Sequence, residues 1–145
     1  MYNIYYISLL VYVSTFLSFG LSVKHTIKGT AKGIDNRLIY PIAAVADMEE
    51  DIITKEILPG TGSERAFSLE FEMPNTASEF LLCFRRGAMG RRQWICYTLK
   101  KEYLTGDVTE FEPFTPEKDR KLSIKNRGVI ENLESYATGI YEKDG

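Results

Sequence analysis

Residues 79–104 read EFLLCFRRGAMGRRQWICYTLKKEYL. Two apolar runs flank a glycine-containing turn with paired arginines on each side, a pattern that is typical of a β-hairpin. If Cys83 lies opposite Cys96, one face of the hairpin carries only apolar side chains, namely Phe80, Leu82, Phe84, Ile95, Tyr97 and Leu99. The other face then pairs Leu81, Cys83 and Arg85 with Trp94, Cys96 and Thr98, and the loop lies at 88–91. This register predicts two adjacent strands of a sheet.

Outside the hairpin, short apolar runs are separated by turn residues at fairly regular spacing. The cleanest run is 66–73, where apolar and polar residues alternate, which predicts a half-buried antiparallel strand. Further strands are predicted at 25–32, 38–46 and 52–58, with one helical turn within 99–104. Residues 121–124 and 129–133 are predicted to form either a last strand pair or one bulged strand around Asn126 and Gly128. Pro41 marks either an edge position or a bulge. The pattern predicts an all-β fold, an antiparallel β-sandwich of about seven strands of the prealbumin or immunoglobulin kind.

The first 22 residues contain no charged side chain, have an apolar run at 4–19 and end in small residues at Gly20 and Ser22. These features predict a signal peptide at 1–22, followed by a β-sandwich domain at 23–134 and a flexible C-terminal tail at 135–145. The alternative is an uncleaved membrane anchor, because the start of the leader lacks Lys and Arg and the apolar run nearly suffices to span a bilayer. With cleavage, the mature chain is secreted, extracellular and not an integral membrane protein.

Cys83 and Cys96 are the only cysteines of the chain. Secretion would place them in an oxidising compartment, and they face each other across the predicted hairpin, so we expect a disulfide bond between them. Such a bond closes a small loop and would stabilise the fold by about 2 to 3 kcal/mol. Two half-buried free thiols are the alternative, since directly opposed cysteines suit only some antiparallel positions.

The composition disfavours several functional classes. A formal net charge of −2 does not favour nucleic-acid binding, and no phosphate-binding glycine motif occurs. Since His25 is the single histidine, a secreted hydrolase of glycans or nucleic acid would need it as the base, together with carboxylates and arginine. The acidic run at 47–51 lacks EF-hand spacing and is interpreted as a solvated loop instead of a Ca²⁺ site. We predict a non-enzymatic protein without cofactor or metal, and keep the hydrolase as the alternative.

Four arginines and a methionine surround the turn of the hairpin, namely Arg85, Arg86, Met89, Arg91 and Arg92. Guanidinium groups bind phosphate, sulfate and carboxylate in a bidentate manner. This tip, together with Trp94, is therefore a candidate contact for an anionic lipid, a sulfated glycan or an extracellular protein. Trp94 is also expected to form a cation–π contact with its cross-strand neighbour Arg85. The alternative is a solubilising role, since charges at a hairpin end discourage aggregation.

Several short pieces resemble, in order and approximate spacing, the transthyretin-like proteins, a secreted family best known from nematodes. They are Ile27, Lys28 and Gly29; Ala66, Phe67, Ser68 and Leu69; residues 91–94; residues 99–104; and residues 128–133. The hexapeptide LKKEYL at 99–104 is the most telling piece, and together the pieces span most of the mature chain. The resemblance implies a secreted, prealbumin-like sandwich with a binding role, whose ligand is poorly defined for the family as a whole.

The chain also departs from that family. Its members usually carry a cysteine in the first strand and a His-Cys pair ending the middle strand. Here the first strand has no cysteine, and Arg85 and Arg86 follow Phe84. The family's disulfide pattern therefore does not transfer to this chain. The related hydroxyisourate hydrolases carry histidines and a Tyr-Arg-Gly-Ser C-terminus, whereas residues 140–145 here read IYEKDG.

Overall fold

The computed structural model describes residues 22–35, 39–86, 93–125, 127–129 and 135–138. Within these ranges, the chain forms ten β-strands and a single 3-10 helix at Lys101–Tyr103. The strands are β1 (Ser22–Ala31), β2 (Ile39–Ala46), β3 (Ile52–Ile57), β4 (Arg65–Pro74), β5 (Glu79–Arg86), β6 (Gln93–Lys100), β7 (Val108–Glu110), β8 (Ser123–Ile124), β9 (Gly128–Val129) and β10 (Ser135–Thr138). The all-β fold predicted from the sequence is confirmed. No helix in these ranges is long and apolar enough to cross a bilayer.

Two sheets stack as a sandwich. The smaller sheet has the strand order β4-β1-β7, and the larger sheet has the order β10-β6-β5-β2-β3. A separate ladder joins β8 to β9. The ladder of β1 with β7 is parallel, and the other ladders are antiparallel. Because β5 is the middle strand of the larger sheet, the predicted hairpin forms the centre of that sheet.

The hairpin has the register predicted from its sequence, with Cys83 opposite Cys96 and Phe84 opposite Ile95. Its inner face is buried in the sandwich core through Phe80, Leu82, Phe84, Ile95, Tyr97 and Leu99. Burying an aliphatic or aromatic side chain of this size contributes about 1.5 to 3 kcal/mol relative to leaving it exposed. A slip by one residue would turn this whole set away from the core, so burial fixes the register.

The smaller sheet supplies the facing half of the core. On β4, Phe67 and every second residue after it are buried, and the residues between them are exposed, as the alternation predicts. Phe67 packs edge-on against Phe84 and Phe114, with ring centroids 5.5 and 5.9 Å apart. Gly29 lies opposite Phe67 on β1, and a Cβ atom at this position would approach the Phe67 ring to 2.8 Å. The glycine therefore makes room for the aromatic ring.

Some elements differ from the sequence prediction. The first strand begins at Ser22 instead of residue 25, and β7 and β10 were not predicted. The strand β10 lies within 135–145, the segment assigned to a C-terminal tail, and pairs with β6. Both unpredicted strands are short and lack a strong apolar pattern, so their pairing partners determine them. Pro41 marks a bulge, because the register of β2 with β5 shifts between Ile39 and Ala43, and β2 is not an edge strand.

Candidate binding site at the hairpin end

The candidate site lies where β5 ends and β6 begins, and we call it the hairpin end. The last cross-strand pairs are Arg85 with Trp94 and Arg86 with Gln93. Met89, Arg91 and Arg92, which belong to the connection 87–92, lie outside the described residues. The structure thus fixes the positions of Arg85, Arg86 and Trp94 among the six residues predicted to form the site.

Arg86 forms an ion pair with Glu117, with 2.9 Å between Nη2 and Oε1. Glu117 lies in the loop between β7 and β8 and has a positive φ of 79°. Among the other non-glycine residues described, only Glu50 has a positive φ, of 68°. The two side chains of the pair are 43% and 36% exposed, so its net contribution to stability is at most about 1 kcal/mol. The ion pair orients Arg86 at the surface and leaves part of its guanidinium group accessible.

Arg85 lies over the ring of Tyr40, with 5.5 Å from Cζ to the ring centroid. The cation–π partner is therefore Tyr40 and not Trp94, which the sequence had suggested. The reason is the bulge in β2, because the shifted register after Ile39 places Tyr40 beside the end of β5. An interaction of this kind contributes about 0.5 to 2 kcal/mol, depending on how far it is desolvated. Tyr40 thus joins the hairpin end as a residue that sequence reasoning missed.

Two N–H groups at the hairpin end are buried and lack a hydrogen-bond acceptor, namely Nε of Arg85 and Nε1 of Trp94. They belong to cross-strand neighbours, and both side chains lie on the face of the larger sheet that points away from the sandwich core. A buried donor without an acceptor costs about 1 to 3 kcal/mol. Because native proteins satisfy nearly all such groups, the pair is suited to bind an oxygen acceptor supplied from elsewhere.

Cys83 and Cys96 form the predicted disulfide bond, with Cα atoms 4.1 Å apart. The bond joins facing residues of β5 and β6, two positions from Arg85 and Trp94. It therefore holds the two strands together next to the hairpin end. A structural disulfide is consistent with an extracellular protein, because such bonds persist in oxidising compartments.

His25 is on β1, in the other sheet, and is buried. Its Nδ1 lies 2.9 Å from the carbonyl oxygen of Gly106, and its Nε2 lies 2.8 Å from Oγ1 of Thr109. Since a carbonyl can only accept, Nδ1 carries the proton and Nε2 accepts from the Thr109 hydroxyl. Burial lowers the pKa of His25, against the opposing effects of the Gly106 hydrogen bond and the charge of Asp107. Both ring nitrogens are therefore engaged in holding β1 to the segment around β7.

The acidic run at 47–51 brings carboxylates of Asp47, Glu49 and Asp51 within 4.8 Å of one another. One oxygen of Asp47 accepts hydrogen bonds from the backbone N–H groups of Glu49 and Asp51, at 3.0 and 2.9 Å. This arrangement is an Asx-type turn, which uses the Asp47 side chain to close the loop between β2 and β3. The turn accounts for the position of the Asp47 carboxylate within the cluster.

A groove of about 330 Å³ crosses the smaller sheet near Lys28 and Ser68. Its charged lining consists of two lysines and two glutamates, namely Lys28, Lys125, Glu56 and Glu110. Lys125 and Glu110 form an ion pair at 3.3 Å. Because the charges of the groove balance, it has no excess of positive charge that would favour an anion.

A scan against protein-family models, a search of curated proteins and a search of solved structures each returned no match. The resemblance to transthyretin-like proteins therefore stays a prediction from sequence.

Proposed function

We propose that this chain is a secreted, non-enzymatic binding domain of transthyretin-like type, which contacts an extracellular anionic surface or protein through the hairpin end and its connection. The residues proposed to make the contact are Arg85, Arg86, Met89, Arg91, Arg92 and Trp94. Signal-peptide cleavage after Ser22 and secretion are parts of this proposal. The disulfide bond supports them, because it suits an extracellular environment.

The observation that carries the proposal is the register of the hairpin. The pairing of β5 with β6 ends at Arg86 and Gln93, so residues 87–92 connect the two strands. In the sequence, all four arginines lie within the eight residues from 85 to 92. Arg86 is partly exposed beside Glu117, and Arg85 is half-buried at the end of β5. The accessible part of a guanidinium group can bind phosphate, sulfate or carboxylate in a bidentate manner.

The hydrolase alternative requires His25 as a base, and the geometry of His25 does not favour it. The ring is buried, and both nitrogens have hydrogen-bond partners. The residue belongs to the smaller sheet, whereas Arg85 and Arg86 belong to the larger one. A general base must reach a substrate proton through a free nitrogen lone pair. The binding role is therefore the better conclusion from the described residues.

The test measures binding of the protein purified from culture medium to phosphatidylserine vesicles, to phosphatidylcholine vesicles and to immobilised heparin, at low and moderate salt. The test variant replaces Arg85, Arg86, Arg91 and Arg92 by Ala. The matched control loses the same number of positive charges elsewhere, through replacement of Lys24, Lys28, Lys32 and Lys125 by Ala.

We expect salt-sensitive binding to an anionic surface that the arginine variant loses and the lysine control retains, since screening weakens contacts between exposed charges. The vesicle and heparin arms distinguish lipid from glycan as the source of the anion. Equal binding by both variants would show a nonspecific charge effect and contradict the proposal. Absence of binding by the unmodified protein to all three would also contradict an anionic surface as the target.

A further inference from the structure

A second charged segment lies beside the hairpin end. It belongs to the connection between β7 and β8, and we call its residues 115–121 the basic loop. Residues 117–121 read EKDRK, and all five are exposed. Glu117, the first of them, forms the ion pair with Arg86 at 2.9 Å. Since Arg86 is the last residue of β5, the basic loop and the hairpin end adjoin at the surface.

Hydrogen bonds hold the backbone of the basic loop. The N–H of Asp119 donates to the carbonyl oxygen of Thr115 at 2.9 Å, and the N–H of Thr115 donates to Oδ2 of Asp119 at 2.7 Å. From β6, the hydroxyl of Tyr97 donates to the carbonyl oxygen of Asp119 at 2.6 Å. Pro116 is buried within the loop, and Leu122 is buried directly after it. The exposed side chains of the loop therefore extend from a backbone that is fixed to the larger sheet.

The positive and negative charges of the basic loop differ in their contacts. Both carboxylates are engaged inside the protein, through the ion pair of Glu117 and the hydrogen bond that Asp119 accepts. Within the part of the chain that the structure describes, no ion pair forms at the three cations of the loop, namely Lys118, Arg120 and Lys121. Unpaired positive charge raises the local concentration of anions. The basic loop therefore adds accessible positive charge to the surface at the hairpin end.

The composition of this surface favours an anionic chain over a lipid bilayer. Proteins that lie on a bilayer combine positive charge with apolar side chains that enter the lipid. The basic loop exposes no such side chain, because Pro116 and the flanking Phe114 and Leu122 are buried. A sulfated glycan needs no apolar insertion, and its sulfate oxygens accept bidentate hydrogen bonds from Arg and attract the point charge of Lys.

We propose that one sulfated glycan chain binds across the hairpin end and the basic loop, through Arg86, Lys118, Arg120 and Lys121. This inference rests on the proposed function and deepens it, because it names the class of partner and adds a second segment to the site. The stretch from Glu117 to Lys121 spans at most about 14 Å, so a chain that contacts Arg86 also reaches the end of the loop. Binding of one segment raises the effective concentration of the same chain at the other.

The test measures dissociation constants for heparin fragments of increasing length, from a disaccharide upward, by isothermal titration calorimetry at low and moderate salt. The protein is purified from culture medium, and circular dichroism confirms the β fold of each variant. The loop variant replaces the three cations of the basic loop by Ala. Its matched control loses the same charge elsewhere, through replacement of the exposed residues Lys24, Lys28 and Lys125 by Ala.

A second pair of variants removes one negative charge. Asp119→Asn takes a carboxylate from among the three cations and keeps a side-chain oxygen that can accept the N–H of Thr115. Its control is Glu70→Gln, on the exposed side of β4. An increase in affinity cannot result from a damaged fold, so this pair tests the site independently of the loop variant.

We expect the unmodified protein to bind long fragments more tightly than short ones. The loop variant should bind long fragments about tenfold more weakly, because it loses three exposed charge contacts. Its dissociation constant should also depend less steeply on salt, since fewer counterions are released. Asp119→Asn should bind about twofold more tightly, and both controls should bind as the unmodified protein does.

Each contrary result separates this inference from the proposed function. Fragment binding that is lost without the four arginines but kept by the loop variant would overturn the inference and leave the proposed function standing. The same holds if the unmodified protein binds phosphatidylserine vesicles and no heparin fragment. A loss confined to the loop variant would contradict the hairpin end as a contact, and with it both proposals.

Discussion

Loss of the Cys83–Cys96 disulfide should lower the free energy of unfolding by an amount set by the loop it closes. The two cysteines are separated by 13 residues in sequence. The chain-entropy relation for a loop of this length predicts a stabilisation of about 3 kcal/mol near room temperature, through restriction of the unfolded chain. The native sheet keeps β5 beside β6 without the bond, because the strands also pair along their whole length.

The assay is urea unfolding followed by the fluorescence of Trp94, the only tryptophan of the chain. With a slope of about 2 kcal/mol per M urea, loss of 3 kcal/mol lowers the midpoint by about 1.5 M. Comparison of the wild-type protein with and without reductant measures the contribution of the disulfide alone to the free energy of unfolding. The variant with both Cys83 and Cys96 replaced by Ala also loses the sulfur contacts within the buried cluster that contains Leu81 and Trp94. It should therefore be about 1 kcal/mol less stable than the reduced wild type.

Reductant should leave the midpoint of the double-alanine variant unchanged, which controls for effects of the reductant on anything but the disulfide. A shift of the wild-type midpoint by less than about 0.3 M on reduction would refute the reasoning. It would mean that the unfolded chain already holds these strands together, so that closing the loop removes little entropy.

Three further changes test other parts of the fold. Burial lowers the pKa of His25, so below about pH 6.5 the unfolded chain binds a proton that the folded chain does not. The free energy of unfolding should therefore fall as the pH drops. In unfolding measured at a series of pH values, His25→Gln should make this fall smaller. Gly29→Ala should cost about 1 to 3 kcal/mol in urea unfolding, and less in a Phe67→Leu background, because its Cβ would lie 2.8 Å from the Phe67 ring. Tyr97→Phe should cost about 1 kcal/mol in thermal unfolding, through loss of the 2.6 Å hydrogen bond to the Asp119 carbonyl, and no loss would contradict this.

The hairpin could be predicted from sequence because its turn, its two cysteines and its apolar positions all indicate the same register. The strand β7 could not, because Val108–Glu110 is three residues long and is held by a parallel pairing with β1, about eighty residues away along the chain. A strand that is held only by a partner so distant along the chain need not show a strand pattern in its own sequence. The same applies to β10, whose pairing with β6 spans about forty residues.

Part of the candidate site was equally beyond sequence reasoning. Arg85 and Trp94 were predicted as neighbours because the hairpin register alone determines them. The contact of Arg85 with Tyr40 depends on the size of the bulge around Pro41, which no local signal specifies. The ion pair of Arg86 with Glu117 depends on how the loop after β7 folds back toward the hairpin. These contacts arise from tertiary structure.

The larger sheet is also buried on the side that points away from the sandwich core, and one signal for this was present in the sequence. The segments that form β2 and β5 are apolar at nearly every position, while β4 alternates strictly. In a two-layer sandwich each sheet has one face in water, so every strand should alternate as β4 does. Strands that are apolar on both faces instead belong to a middle layer. The larger sheet follows this rule, because its side chains directed away from the sandwich core, among them Leu81, Cys83 and Trp94, are fully buried within the chain itself.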